Sequence, residues 1–69
     1  MTPEVLLAFE HRWPVHSGHK ETAIIRELGM KPARYYQLLN RAACTSEGMD
    51  ADPITARRVR ERAVRSRAA

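Results

Sequence analysis

The run Gly29-Met30-Lys31-Pro32 constrains this chain more than any other stretch in it. Helical apolar spacing leads up to Leu28, breaks off, and resumes beyond Pro32. Glycine takes left-handed backbone without steric cost, so Gly29 closes one helix. Proline has no N–H to donate, so Pro32 fits the first turn of the next. Two helices must therefore meet at a tight corner. The second, "PARYYQLLNRA", carries more aromatic and amide side chains than a small core requires.

Similar punctuation divides the rest of the chain. Thr2-Pro3-Glu4 supplies a hydroxyl cap, a first-turn proline and an acid at the positive end of the helix dipole. A first helix is expected over 3–13, with Leu6, Phe9 and Trp13 as its apolar stripe and Val5 beside them. Pro14 stops it, and Pro14 to Gly18 reads as a loop. The second helix is expected over 19–28, capped by Ser17 or Gly18. Ala23, Ile24 and Leu28 face inward there, and Lys20, Glu21 and Glu27 face water. The third runs over 32–43 on Tyr35, Leu38, Leu39 and Ala42. Residues 45–51 form a polar connector, and Asp52-Pro53 starts a fourth helix at 53, where Ala56, Val59 and Ala63 can face inward. No run alternates with period two. The sequence thus predicts an all-α domain of three to four helices over 1–56, containing a helix-turn-helix, with an arginine-rich helix end or tail over 57–69.

With 69 residues and one cysteine, Cys44, the chain forms one domain without an internal disulfide, as expected in a reducing compartment. No apolar run is long enough to span a bilayer, and the basic-then-apolar order of a signal peptide is missing, so a cytoplasmic chain with no membrane partner is expected. The net charge is +4. Arginines 57, 58, 60, 62, 65 and 67 stand against a single acid, Glu61, leaving the remainder close to neutral. A cationic end on a neutral body points to an anionic partner.

The corner has the spacing of a helix-turn-helix: Ile24 and Leu28 precede Gly29, and Met30, Tyr35 and Leu38 follow it, all largely apolar. Ile25 stands where a small residue is usual. It either opens the angle between the helices or lies under the first helix. The outward face of the third helix then presents Lys31, Ala33, Arg34, Tyr36, Gln37, Asn40 and Arg41. Amides pair with adenine edges, arginine with guanine, and tyrosine and lysine with phosphate oxygens. This predicts a recognition helix for double-stranded DNA, supported by Arg58, Arg60, Arg62 and Arg65 along the backbone. The other class is an adaptor that binds a protein such as RNA polymerase or another regulator, suggested by Glu4, Glu10 and the Val5-Leu6-Leu7 run.

The stretches "LLAFEHRW", "HKETAIIRELGMKPARYYQLLNRA" and "DPITARRVRERAVRSR" together resemble the small uncharacterised helix-turn-helix proteins of actinobacteria and their phages. The resemblance spans nearly the whole chain and is most specific at Arg34-Tyr35-Tyr36-Gln37-Leu38-Leu39-Asn40. It implies the fold and a DNA-binding role, and the family has no established activity to carry over. Pro14 and Lys31-Pro32 depart from the pattern; the latter removes the Ser or Thr cap usual at the start of the third helix.

The remaining features read as structural. His11, His16 and His19 lack the spacing of metal ligands, so no metal or cofactor is expected. Cys44 reads as a small buried residue, and Phe9 and Trp13 as core. No phosphate loop, carboxylate pair or activated nucleophile is present to suggest an enzyme. One module of this size offers few base contacts, so useful specificity calls for a homodimer or a partner from the transcription machinery.

Overall fold

A computed structural model describes residues 1–68, with side chains up to Arg65. The described chain is all helix and turn. The elements are α1 (Pro3–Arg12), α2 (Gly18–Ala23, widening into a π-helical turn over Ile24–Leu28), α3 (Pro32–Ala43), α4 (Ser46–Ala51) and α5 (Pro53–Ala68). α1 packs across α3, α4 and α5, and α3 lies along α5.

Each start has its local cause. Thr2 Oγ1 accepts from the Val5 N–H at 3.3 Å, Ser17 Oγ from Lys20 N–H at 3.1 Å, and Thr45 Oγ1 from Gly48 N–H at 3.0 Å. Asp52 Oδ1 accepts from Thr55 N–H at 3.1 Å. These hydrogen bonds satisfy N–H groups that a helix start leaves without partners. Asp52's carboxyl is held below its ordinary pKa, first by the Thr55 side-chain hydrogen bond. α3 begins at Lys31 with no side-chain cap. Gly29 ends the π-helical turn at φ +63°, the left-handed conformation its sequence position predicts.

Leu6, Leu7 and Phe9 from α1, Ala23 and Ile24 from α2 and its extension, Tyr35, Leu39, Ala42 and Ala43 from α3, and Ala56 and Val59 from α5 form the core. Phe9 meets Tyr35 edge-on, with ring centroids 5.3 Å apart. Trp13, Leu28 and Leu38 are half-buried at its border.

Several expectations are corrected. Residues 45–51 are not a connector: α4 fills them and buries Gly48 against α3 and α1. Leu7, not Val5, completes the α1 stripe, and Val5 is exposed. Ile25 is exposed rather than covered by α1. Cys44 is exposed, because α3 ends at Ala43 and Cys44 lies just beyond the helix. Lys20 does not face water; it is fully buried. The arginine-rich segment is no loose tail through its described length. α5 continues through residue 57, and Val59 is buried.

Candidate nucleic-acid interface

α3 contains no carboxylate. Its outer face exposes Lys31, Ala33, Arg34, Gln37, Asn40 and Arg41, as helical spacing predicts once Tyr35, Leu39 and Ala42 are buried. Arg34 Nη1 reaches Gln37 Oε1 at 3.5 Å. Along one edge of this face runs a groove between α3 and α5. It is lined by Tyr36 and Asn40 from α3, Arg62 and Ala63 from α5, and His16 from the loop before α2.

Tyr36 is half-buried, not projecting. Its hydroxyl lies 2.7 Å from His16 Nδ1, and Lys20 Nζ sits over its ring at 5.3 Å. The other nitrogen of His16, Nε2, is 3.1 Å from Arg62 Nη1. A guanidinium can only donate, so Nε2 must accept and Nδ1 carries the hydrogen. Tyr36 oxygen therefore accepts from His16, which leaves the phenolic hydrogen free to donate. Burial, and then the positive charges of Lys20 and Arg62, lower the His16 pKa from its ordinary 6.5. Burial and the nearby Glu10 raise that of Tyr36.

Beneath this groove lies a buried polar cluster. Glu10 Oε1 accepts from Lys20 Nζ at 2.7 Å and from the Tyr35 hydroxyl at 2.8 Å. Its Oε2 accepts from Arg62 Nη2 at 3.2 Å. Burial first, and the hydrogen bond to Glu10 second, push the Tyr35 hydroxyl well above its ordinary pKa. Among the described residues no buried side-chain nitrogen or oxygen lacks a partner. Sequence reasoning did not foresee this cluster, yet signals for it exist. Glu10 falls in step with Leu6, Phe9 and Trp13, and Lys20 in step with Ala23 and Ile24, so both stand at inward helical positions.

The arginines of α5 divide into two groups. Arg60 Nη1 donates to Ala43 carbonyl oxygen at 2.8 Å, closing the C-terminus of α3. Arg62 is held by Glu10 and His16. These two, grouped by the sequence with Arg58 and Arg65 as contacts along a DNA backbone, thus have fixed partners within the fold. Arg57 pairs with Glu61 on the surface at 3.0 Å. Arg58 and Arg65 are exposed and have no ion-pair partner among the described residues. The side chain of Arg67 lies outside the described residues.

A second groove, between α1 and α4, is bordered by Glu4, Glu47, Asp50 and Asp52. His11 Nδ1 lies 3.8 Å from Asp52 Oδ2 at its rim. Among the described residues no three side chains of His, Cys, Asp or Glu gather as a metal site. None of the described helices is long and apolar enough to cross a membrane.

The architecture is thus a small all-α domain with a glycine corner and an acid-free polar helix face. A family model described as "Protein of unknown function (DUF3263)" matches residues 2–69, and the chain belongs to that family. No curated protein and no solved structure matches it.

Proposed function

We propose that this chain is a non-catalytic, double-stranded DNA-binding protein of the cytoplasm. It acts as a small transcription regulator that lays α3 in the major groove, the corner at Gly29 serving as the bend of a helix-turn-helix. The observation that carries this reading is the outer face of α3, with Lys31, Arg34, Gln37, Asn40 and Arg41 exposed and no carboxylate on the helix. Gln37 and Asn40 share a helix face and read base edges; Arg34 and Arg41 pair with guanine or phosphate. Lys31 and the free phenolic hydrogen of Tyr36 hold the backbone. Arg58 and Arg65 add charge, while Arg60 and Arg62 serve the fold.

Selection from random duplexes, followed by titration at several salt concentrations, tests this. Gln37→Ala or Asn40→Ala is expected to cost roughly 1–3 kcal/mol at the selected site and almost nothing on unrelated DNA. Replacing Arg58 and Arg65 together by glutamine should weaken both kinds of binding and flatten the salt slope by about 1.8 if each contacts one phosphate. Amide variants that bind like wild type, or that lose selected and unrelated DNA equally, defeat the reading.

The acidic groove between α1 and α4 favours a second reading, an adaptor that takes a basic protein segment. The earlier support from Glu10, Leu6 and Leu7 falls away, since all three are buried. Capture of a partner that survives nuclease treatment would favour the adaptor.

A further inference from the structure

The face of α5 turned away from the core carries a pattern that its arginine content hides. Ile54 and Val64 are 65% and 64% exposed. Between them stand Arg57 and Glu61, themselves open to solvent. Ile54, Arg57, Glu61 and Val64 follow one another at steps of three, four and three residues, the spacing of a helix–helix seam. The opposite side of the helix is taken by Thr55, Ala56 and Val59, so this seam has no partner among the described residues.

The seam is its own complement when reversed. Set α5 against a second α5 running the other way, with a two-fold axis level with Val59. Ile54 then faces the partner's Val64, and Arg57 faces the partner's Glu61. The same two contacts repeat on the other side of the axis, as a two-fold interface demands. A parallel arrangement would put Arg57 against the partner's Arg57 and Glu61 against the partner's Glu61, so like charges exclude it. Little is lost in the free chain, because the Arg57–Glu61 pair at 3.0 Å is solvent-exposed and worth little there.

We propose that the outer face of α5 is an antiparallel homodimer interface, closed by Ile54 on the partner's Val64 and by Arg57 on the partner's Glu61. The helix is 16 residues long, so the contact is small and the dimer is weak, dissociating on dilution to micromolar concentrations. Arg58, one residue from the axis level, comes beside the partner's Arg58 on one edge, which lowers the affinity further and gathers positive charge from both copies. This proposal goes beyond the DNA-binding reading and does not rest on it.

Sedimentation equilibrium of the full chain without nucleic acid, from micromolar to near-millimolar concentration, reads the association directly. Wild type should pass from monomer to dimer and no further. Glu61→Arg places four basic side chains along the seam, and Arg57→Glu places four acidic ones; each should weaken association at least about a hundredfold. An equimolar mixture of the two variants should recover wild-type association, because every base again faces an acid. Circular dichroism confirms that each variant remains helical. A wild type that stays monomeric throughout, single variants that dimerise undiminished, or a mixture that associates no better than its components overturns the proposal. Because no DNA is present, either result leaves the DNA titrations to be judged separately.

Discussion

A carboxylate removed from water needs compensation on both oxygens, and Glu10 receives it from Lys20, Tyr35 and Arg62 on three other helices. Taking away that carboxylate leaves a fully buried lysine without its partner. Glu10→Ala is expected to destabilise the chain by about 3–5 kcal/mol, measured by urea unfolding. A domain of this length has roughly 3–10 kcal/mol in all, so this loss takes a large share of its stability. His16 gives a prediction in pH. It faces Tyr36 on α3, Arg62 on α5, Lys20 on α2 and Glu10 on α1. Its folded pKa is lowered, so the unfolded chain takes the proton first as pH falls. The stability that the neutral ring contributes is complete above 6.5 and is lost as pH drops from there toward the lowered folded value. Thermal melts between about pH 7 and pH 5 should fall more steeply for wild type than for His16→Gln. The cluster was only half legible in the sequence. Helical phase places Glu10 and Lys20 inward, but nothing local says that each is the other's counterion, since that depends on how α1 meets α2.

At the scale of elements, the helix ends were the most legible part. Thr2-Pro3, Pro32 and Asp52-Pro53 act through capping and fixed backbone angles that need no tertiary context. Gly29 did likewise. α4 escaped notice because Thr45-Ser46-Glu47-Gly48 is polar and contains a glycine, the usual marks of a connector. The structure shows why the glycine sits there. A Cβ on Gly48 would fall inside van der Waals distance of the Ala42 carbonyl oxygen and 3.1 Å from Leu7 Cδ1. Backbone rather than a flexible side chain blocks it, so α3 or α4 would have to move. Gly48→Ala is therefore expected to lose about 1–3 kcal/mol, despite alanine's better helix propensity, as read by chemical denaturation. The widened turn over Ile24–Leu28 was not legible at all, because its sequence is apolar enough to continue an ordinary helix and Ile25 ends up exposed.

For the whole molecule, charge and structure divide the arginines differently. Composition marks residues 57–69 as one cationic segment, and the sequence reading treated Arg58, Arg60, Arg62 and Arg65 alike. Tertiary contacts separate them, and periodicity could not weigh a hydrogen bond to a carbonyl seventeen residues away. Arg62→Gln should destabilise by about 1.5–3 kcal/mol, because it removes a hydrogen-bonded cation from a buried carboxylate. Arg58→Gln and Arg65→Gln should each stay within about 0.5 kcal/mol of wild type in the same urea titrations. The outer face of α3 was legible except at Tyr36, since it follows from helical phase once the inward residues are placed, whereas His16 and Lys20 draw Tyr36 inward through tertiary contacts. The binding of Ala43 by Arg60 and of Glu10 by Arg62 also bears on the chain's birth. Synthesis proceeds at roughly 5–20 residues per second, so α1, α2 and α3 exist for about a second or more before α5 is made. Throughout that interval Glu10 lacks Arg62 on its second oxygen, the α3 carbonyl end is open, and the places of Ala56 and Val59 are empty. A chain cut off before α5 should thus display an unfinished core to proteases, while one that includes α5 hides it, so the arginine helix decides whether the domain withstands proteolysis.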